Sequence, residues 1–428
     1  MPRRKRTKAK GYHTKDGGMD KTIIEIPLRQ ATKILKVYPI DIEEDVSGTP
    51  STNPKRKGPQ RRFVKEKAQD YSQSILAEAA LLGPILGNVR NYSQEDLDGP
   101  DNISLPGNID ISVFDRQHSL EALKMAAEED ESLWDKPITC FLYFQPTEHE
   151  YIMFHFINSM GTNTQSDHKC ATFAKMYAMK KNGDLDPIDI PGVTEEFDNH
   201  QVDWLGRGGF IAMKLGTSTE SPLNGLVKIP GDGKSKIPIQ SNIITTALVG
   251  REKDKQKQGL LKTQAMEELG DDELVTVISN ILKGIEAVWP EPFEEAREGR
   301  CTRSFKLLRS EGFGGTFVLA CNVIDQASTI AKESGKHFDA RLLTPKFFQR
   351  AFERTARNLD ADALPSGTPM NDNHLEFWSQ ENPKLKNQGS KNQLAETHLV
   401  KALGGPAPHE THIFLNAVLA EEFPGWTQ

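Results

Sequence analysis

Apolar positions along this chain follow two periods, and each change of period marks an element. From Lys21 the alternation in TIIEI passes into LRQATKILKVY, which predicts a strand leading into a short amphipathic segment by Tyr38. Between Phe63 and Leu82, Ala68, Tyr71, Ile75 and Ala79 recur at helical spacing; Gly83-Pro84 breaks the pattern and ILGNV predicts a short strand. Residues 92 to 107 are polar and read as a surface insertion. Ile109, Ile111 and Val113 then alternate as in a strand, and from Ser119 onward Leu120, Leu123, Ala126 and Ala127 take up helical spacing. After Lys136-Pro137 the run ITCFLYF is apolar almost throughout, the signature of a strand buried on both sides. Glu148 to Asn158 starts polar and becomes apolar on nearly every side, as in a helix enclosed by the core, a strand being the alternative at this length. Ser166-Asp167 opens a further helix to about Lys180, with Cys170, Phe173 and Tyr177 on one face.

The second half reads differently. A Gly/Asp-rich stretch from Asn182 to Asn199 has the composition of a linker, and Gly231-Asp232-Gly233 between VKIP and KIPI is a hairpin signal. Helical patterns follow at residues 260–289, 317–332, 344–359 and 392–403 and in the closing HIFLNAVLAEEF, around a polar, loop-rich region at 360–389. The glycine clusters GRGGF (206–210) and GFGG (312–315) lack the strand, spacing and Lys-Ser/Thr of a P-loop. The fold class expected is α+β: a basic flexible arm over 1–20, a mixed α/β domain over 21–250, and a mainly α-helical region over 251–428.

Candidate chemistry concentrates at one joint. Asp115, Arg116, Gln117 and His118 fall between the central strand and its helix, where unpaired N–H groups favour a phosphate. His118 can exchange a proton near neutral pH, Asp115 can orient it or hold a divalent ion, and Gln117 can align a water or phosphate oxygen. The alternative is structural: Asp115 caps the helix, and Gln117 and His118 satisfy neighbouring backbone.

The stretch FDRQHSLEAL resembles the Asp-Gly-Gln-His-Arg signature, usually followed by Leu-Glu-Ala-Leu, of the DGQHR-domain proteins. That family includes the DndB-like proteins of DNA phosphorothioation clusters and is a relative of the ParB/sulfiredoxin-like fold. Asp115, Gln117, His118, Leu120, Glu121, Ala122 and Leu123 stand where the family has them, while Arg116 replaces the Gly and Ser119 the Arg. The Gly permits φ > 0, so a non-Gly residue must find an allowed conformation there or bear strain. The lost Arg is the natural phosphate fork, and Arg116 carries a guanidinium at a neighbouring position. The exit NSMGT (158–162) and the segment SPLNGLVKIP (221–230) are also similar to the family. What the resemblance implies is a ParB-like core within 21–250, catalysis by Asp115 and His118, and nucleotide contacts from Arg116, Gln117, Ser119 and Asn158, the last of these also readable as a helix C-cap. It further implies ATP or another nucleotide, with Mg²⁺, as cofactor, and DNA and other DNA-modification or defence proteins as partners. One expectation is an ATPase or DNA-acting hydrolase with a regulatory role. The other is a noncatalytic DNA-binding transcriptional regulator or structural subunit whose altered signature no longer turns over.

Charge narrows where DNA can bind. With 53 Lys and Arg against 60 Asp and Glu in 428 residues the net charge is −7, so nucleic-acid contact must come from local patches. Two exist: Arg3, Arg4, Lys5 and Arg6 in MPRRKRTKAK, and Lys55, Arg56, Lys57, Arg61 and Arg62 in a Gly/Pro/Ser/Thr-rich loop. They would neutralise phosphates with strong salt dependence and little sequence preference; a merely solvated tail is the plain alternative for the first. Cys140, Cys170, Cys301 and Cys321 form no CxxC pair and no metal-ligand spacing, which fits small buried thiols in a reducing cytoplasm. No apolar run reaches the roughly 20 residues of a membrane span, and a secretion signal's apolar core is absent, so a soluble cytoplasmic protein, able to form a homo-oligomer, is expected.

Overall fold

A computed structural model describes residues 7–16, 19–40, 42–47, 58–60, 65–77, 83–90, 102–105, 109–154, 166–184, 202–229, 239–250, 259–299, 304–360, 363–364, 374–382, 385, 395–404 and 409–423. The fold is mixed α and β, and the chain divides into two compact units, 1–206 and 207–428.

The first unit is built on a mixed sheet. Its strands are β1 (Thr7–Asp16), β2 (Met19–Pro27), β3 (Leu35–Lys36), β4 (Ile85–Val89), β5 (Asn102–Leu105), β6 (Ile111–Asp115) and β7 (Pro137–Tyr143), in the spatial order β3-β6-β4-β7-β2-β1-β5. β6 runs parallel to β3 and antiparallel to β4, β4 runs parallel to β7, and β7, β2, β1 and β5 follow in antiparallel pairs. Helices α1 (Leu28–Ile34), α2 (Glu43–Ser47), α3 (Lys65–Leu76), α4 (Gln117–Glu129) and α5 (Ser166–Asn182) complete it. One core joins Ile24 and Ile26 of β2, Ile111 and Val113 of β6, and Ile138, Cys140 and Leu142 of β7 to Ala68 and Ile75 of α3 and Leu120, Leu123 and Ala127 of α4. The expected helical face of Ala68, Tyr71 and Ile75 is thus the buried one; Ala79 lies outside the described residues. Residues 150–154 are helical and buried on every side, as the all-round apolar pattern predicts.

Four expectations are corrected by this unit and its boundary. Thr7–Asp16 is a strand within the sheet, not a free arm: Lys10 to Asp16 pair with β2 and Thr7 to Lys10 with β5, so two ladders that meet at Lys10 order a segment whose polar sequence carries little strand signal. The polar stretch at 92–107 contains β5, which is recruited by β1 in the same way. β7 is not buried on both faces, because Thr139 and Phe141 are only half-buried; Lys21 Nζ lies 4.7 Å from the Phe141 ring centroid and covers it with a charged side chain. The boundary observed at 206 differs from the one expected near 250. Helix α6 (Arg207–Thr217) packs on α7 (Ser241–Val249) so closely that a Cβ on Gly208 would lie 2.3 Å from Val249 Cγ2, and this commits both helices to the second unit.

In that second unit, β8 (Val227–Lys228) and β9 (Ile239–Gln240) pair in parallel, Val227 opposite Ile239. The expected hairpin is therefore overturned, since a parallel pair needs a crossover and not a tight turn; Gly231 to Gly233 lie outside the described residues. Helices α8 (Asp271–Val288), α9 (Glu291–Arg297), α10 (Ser310–Glu333), α11 (Pro345–Arg357) and α12 (His409–Glu422) make up most of the rest. α11 shows how local sequence sets an element: Thr344 Oγ1 accepts the Phe347 N–H at 3.1 Å, Pro345 takes the first helical position, and Phe347, Phe348, Ala351 and Phe352 form the buried stripe. That stripe meets an aromatic cluster in which Trp289 lies edge-on to Trp378, with centroids 5.6 Å apart. Cys140, Cys170 and Cys321 are buried free thiols, and burial pushes the Cys140 thiol up to about 12; Cys301 lies outside the described residues. Among the described residues no helix is long and apolar enough to cross a membrane.

Candidate functional site

The joint between β6 and α4 is a sharp turn made at one residue. β6 ends at Asp115, α4 begins at Gln117, and Arg116 between them adopts the left-handed conformation, φ 66° and ψ 25°. Its carbonyl still accepts the first helical hydrogen bond, from Leu120 N–H at 3.0 Å. Among the described residues, Arg116 and His374 are the non-glycine positions with positive φ, a conformation that costs an L-residue about 1–2 kcal/mol. The position at which the resemblance sets a glycine is one where the backbone favours glycine, and this chain holds an arginine there.

The surroundings hold that arginine in place. Asp115 Oδ1 accepts the Arg116 N–H at 2.7 Å, and Asp115 Oδ2 lies 3.7 Å from Arg116 Nε. The guanidinium sits against Gly83, where an added Cβ would come within 3.2 Å of Nη2 and 3.3 Å of Cζ. The Gly83-Pro84 break thus also leaves room for the Arg116 side chain. Asp115 does not cap α4 through the second or third N–H, since the N-cap position is Arg116 and makes no side-chain cap. Asp115 and Arg116 are exposed enough to meet a ligand, at 39% and 46% of their side-chain surface. Gln117 and Ser119 are buried and His118 is half-buried. Of the residues expected at the site, the structure brings Asp115, Arg116, Gln117, His118 and Ser119 onto this one turn. Asn158 and the basic residues Arg3, Arg4, Lys5, Arg6, Lys55, Arg56, Lys57, Arg61 and Arg62 lie outside the described residues.

No family model matches this chain, and neither a curated protein nor a solved structure matches it.

A polar network that the sequence reading missed fixes the other end of β6. Arg90 donates from Nε to Glu150 Oε1 at 2.9 Å and from Nη2 to Oε2 at 2.5 Å, a two-pronged pair at 9% and 0% side-chain exposure. Asn88 Nδ2 donates to the same Glu150 Oε1 at 3.1 Å, and the Asn88 amide exchanges hydrogen bonds with the Gln145 backbone. The Arg90 guanidinium stacks 3.9 Å from the Tyr38 ring centroid, and Tyr38 OH donates to Asp110 Oδ1 at 2.5 Å. Burial works against the Arg90 charge, but the Glu150 hydrogen bonds and charge outweigh it and hold its pKa above the ordinary value; burial and then the Asp110 hydrogen bond raise that of Tyr38. Asp110 and Asp115 stand at opposite ends of β6, about 17 Å apart along a strand rising roughly 3.3 Å per residue. The network therefore anchors the strand rather than joining the site. One signal was available: Glu150 opens a segment apolar all round, and a carboxylate buried there requires a partner.

The substitution pair Arg116→Gly and Arg116→Val separates backbone from side chain. Glycine should leave stability within about 1 kcal/mol, because relief of the left-handed strain is offset by its extra unfolded-state entropy. Valine, β-branched at positive φ, should cost more than about 1–2 kcal/mol in urea denaturation. Equal midpoints for the two variants would mean that the turn is not held in the left-handed region.

Proposed function

We propose that this chain is a nucleotide- and DNA-binding protein of the DNA-modification or defence type, with the Asp115–Ser119 turn as its nucleotide phosphate site. The observation that carries this reading is Arg116 at positive φ. A strained non-glycine residue at the entrance to a helix persists where the surrounding structure demands it, and such positions cluster at ligand sites. Its guanidinium, beside the start of α4, supplies the positive charge that Ser119 no longer carries, so a phosphoryl group meets both the helix N–H groups and an arginine fork. Asp115 offers a single carboxylate, which suits a Mg²⁺ ion carried largely by nucleotide phosphates rather than by a protein cage. The DNA part of the reading rests on the basic cluster around residues 55–62. The described tripeptide within it, residues 58–60, is pinned to the site's own strand, with Gln60 Nε2 donating to Val113 O at 2.6 Å.

In the enzymatic form of this proposal Asp115 and His118 are the catalytic pair for ATP hydrolysis. A noncatalytic DNA-binding regulator is the second reading, favoured by the engagement of Asp115 with Arg116 through both its oxygens. Steady-state hydrolysis of ATP with Mg²⁺, with and without DNA, tests the choice. Asp115→Ala and His118→Ala should each reduce turnover by about 10²–10⁴-fold while the protein stays folded. Nucleotide binding that depends on Arg116 without any turnover would select the regulator, and binding of neither nucleotide nor DNA would reject both.

A further inference from the structure

The second unit carries its own uncapped helix start. Helix α7 (Ser241–Val249) follows directly from β9, and its N-cap residue Gln240 makes no side-chain cap. Ser241, the first helical residue, is 0% exposed, and its Oγ finds no hydrogen-bond partner among the described residues. A buried hydroxyl left unpaired is a standing cost to the fold, and the Cα–Cβ bond of a helical residue tilts toward the helix start, where the first N–H groups have no intrahelical acceptor. The next residue repeats the feature: Asn242 Oδ1 is buried and also lacks a partner. Rotation of its carboxamide would present Nδ2 as a donor instead. The Ser241 and Asn242 carbonyls, by contrast, are taken by the Thr245 and Thr246 hydroxyls at 2.9 and 2.8 Å. In the parallel β8–β9 pair, Lys228 stands in register with Gln240, one residue before Ser241, and adds positive charge to this end of the helix. A buried hydroxyl without an acceptor, a helix dipole and a lysine all ask for one kind of group, an anion with several acceptor oxygens.

We propose that the start of α7, with Ser241 and Asn242, is a second phosphoryl-binding site, separate from the turn at Arg116 and carried by the other unit. The chemistry is that of a phosphate group, whether free, on a nucleotide or in a nucleic-acid backbone.

Hydrogen–deuterium exchange of the full chain with inorganic phosphate, ATP or a single-stranded DNA oligonucleotide resolves this site from the first. Phosphate should slow exchange across residues 241–249, and Ser241→Ala should abolish that protection by weakening phosphate about tenfold or more, as for a lost hydrogen bond to a charged group. Protection by ATP as well would name a nucleotide as the source, protection by DNA the backbone, and protection by phosphate alone the free anion. Thermal unfolding gives a second reading on the same variant. Without phosphate, Ser241→Ala should melt no lower than the parent chain, since it removes an unsatisfied hydroxyl. No protection by any of the three probes would overturn the proposal, as would a variant that melts lower in phosphate-free buffer, because the hydroxyl would then already be satisfied by internal water.

Discussion

Replacing Glu150 with leucine should destabilise the protein by about 3–5 kcal/mol, because the change takes the bidentate carboxylate away from a buried guanidinium. Glu150 is fully buried and supplies both oxygens to Arg90 and one of them also to Asn88. The leucine removes three charge-assisted hydrogen bonds at once. Arg90 keeps its stacking on the Tyr38 ring and the coulombic influence of Asp110, neither of which replaces a bidentate carboxylate. The double variant Arg90→Met with Glu150→Leu should recover most of the loss, since replacement of both partners by apolar groups of similar volume is often neutral. Urea denaturation of the two single variants and the double one gives the coupling energy directly. A Glu150→Leu midpoint close to that of the parent would show that the pair is not buried in solution. The consequence reaches the proposed site, because the Arg90 N–H also bonds to Asp110 O at 2.9 Å, which sets where β6 begins and so where its far end, Asp115, lies.

Gly312→Ala is the second large effect expected, at about 1–3 kcal/mol or more, the range for forcing an extra methyl into a packed site. A Cβ at this position would lie 1.9 Å from Leu307 O and 2.4 Å from both Leu307 C and Cα. All three are backbone atoms, so no rotamer change makes room; either the start of α10 or the 304–309 segment must move. Those neighbours are held elsewhere: Lys306 N–H donates to Trp378 O at 2.7 Å, and Trp378 is packed against Trp289 and Phe377. The same substitution in an open helix would stabilise, since alanine exceeds glycine in helix propensity by about 1 kcal/mol. The sign of the change in thermal midpoint therefore decides whether this contact exists. The same contact accounts for GFGG: Gly312 serves close packing inside a helix, and Phe313 and Phe317 beside it point into the core.

Much of the candidate site can be read along the chain. The switch from period two to period 3.6 between Val113 and Leu120 places Asp115 to His118 at a strand–helix joint, and the structure puts the joint there. The same local reading finds α3, the break at Gly83-Pro84, β4, the buried segment at 150–154 and the Thr344-Pro345 start of α11. These succeed because each depends on neighbours within one or two turns, where spacing, capping groups and proline act directly. The resemblance at FDRQHSLEAL also marks residue 116 as the place where the backbone must choose between strain and a different turn. That the choice is φ 66°, with the guanidinium laid over Gly83, belongs to the folded chain alone.

The tertiary structure alone decides what depends on partners distant in sequence. Thr7–Asp16 becomes a strand because β5 pairs with its first residues and β2 with the rest, not because its side chains alternate. β8 and β9 run parallel although the glycine-rich sequence between them reads as a hairpin, and Gly208 fits against Val249 across forty residues to draw α6 and α7 into the second unit. Arg90 finds Glu150 sixty residues away. Local periodicity determines which face of an element is apolar; which other element covers that face, and which buried charge meets which, is settled only when long-range pairing brings backbone groups and buried ions to their partners.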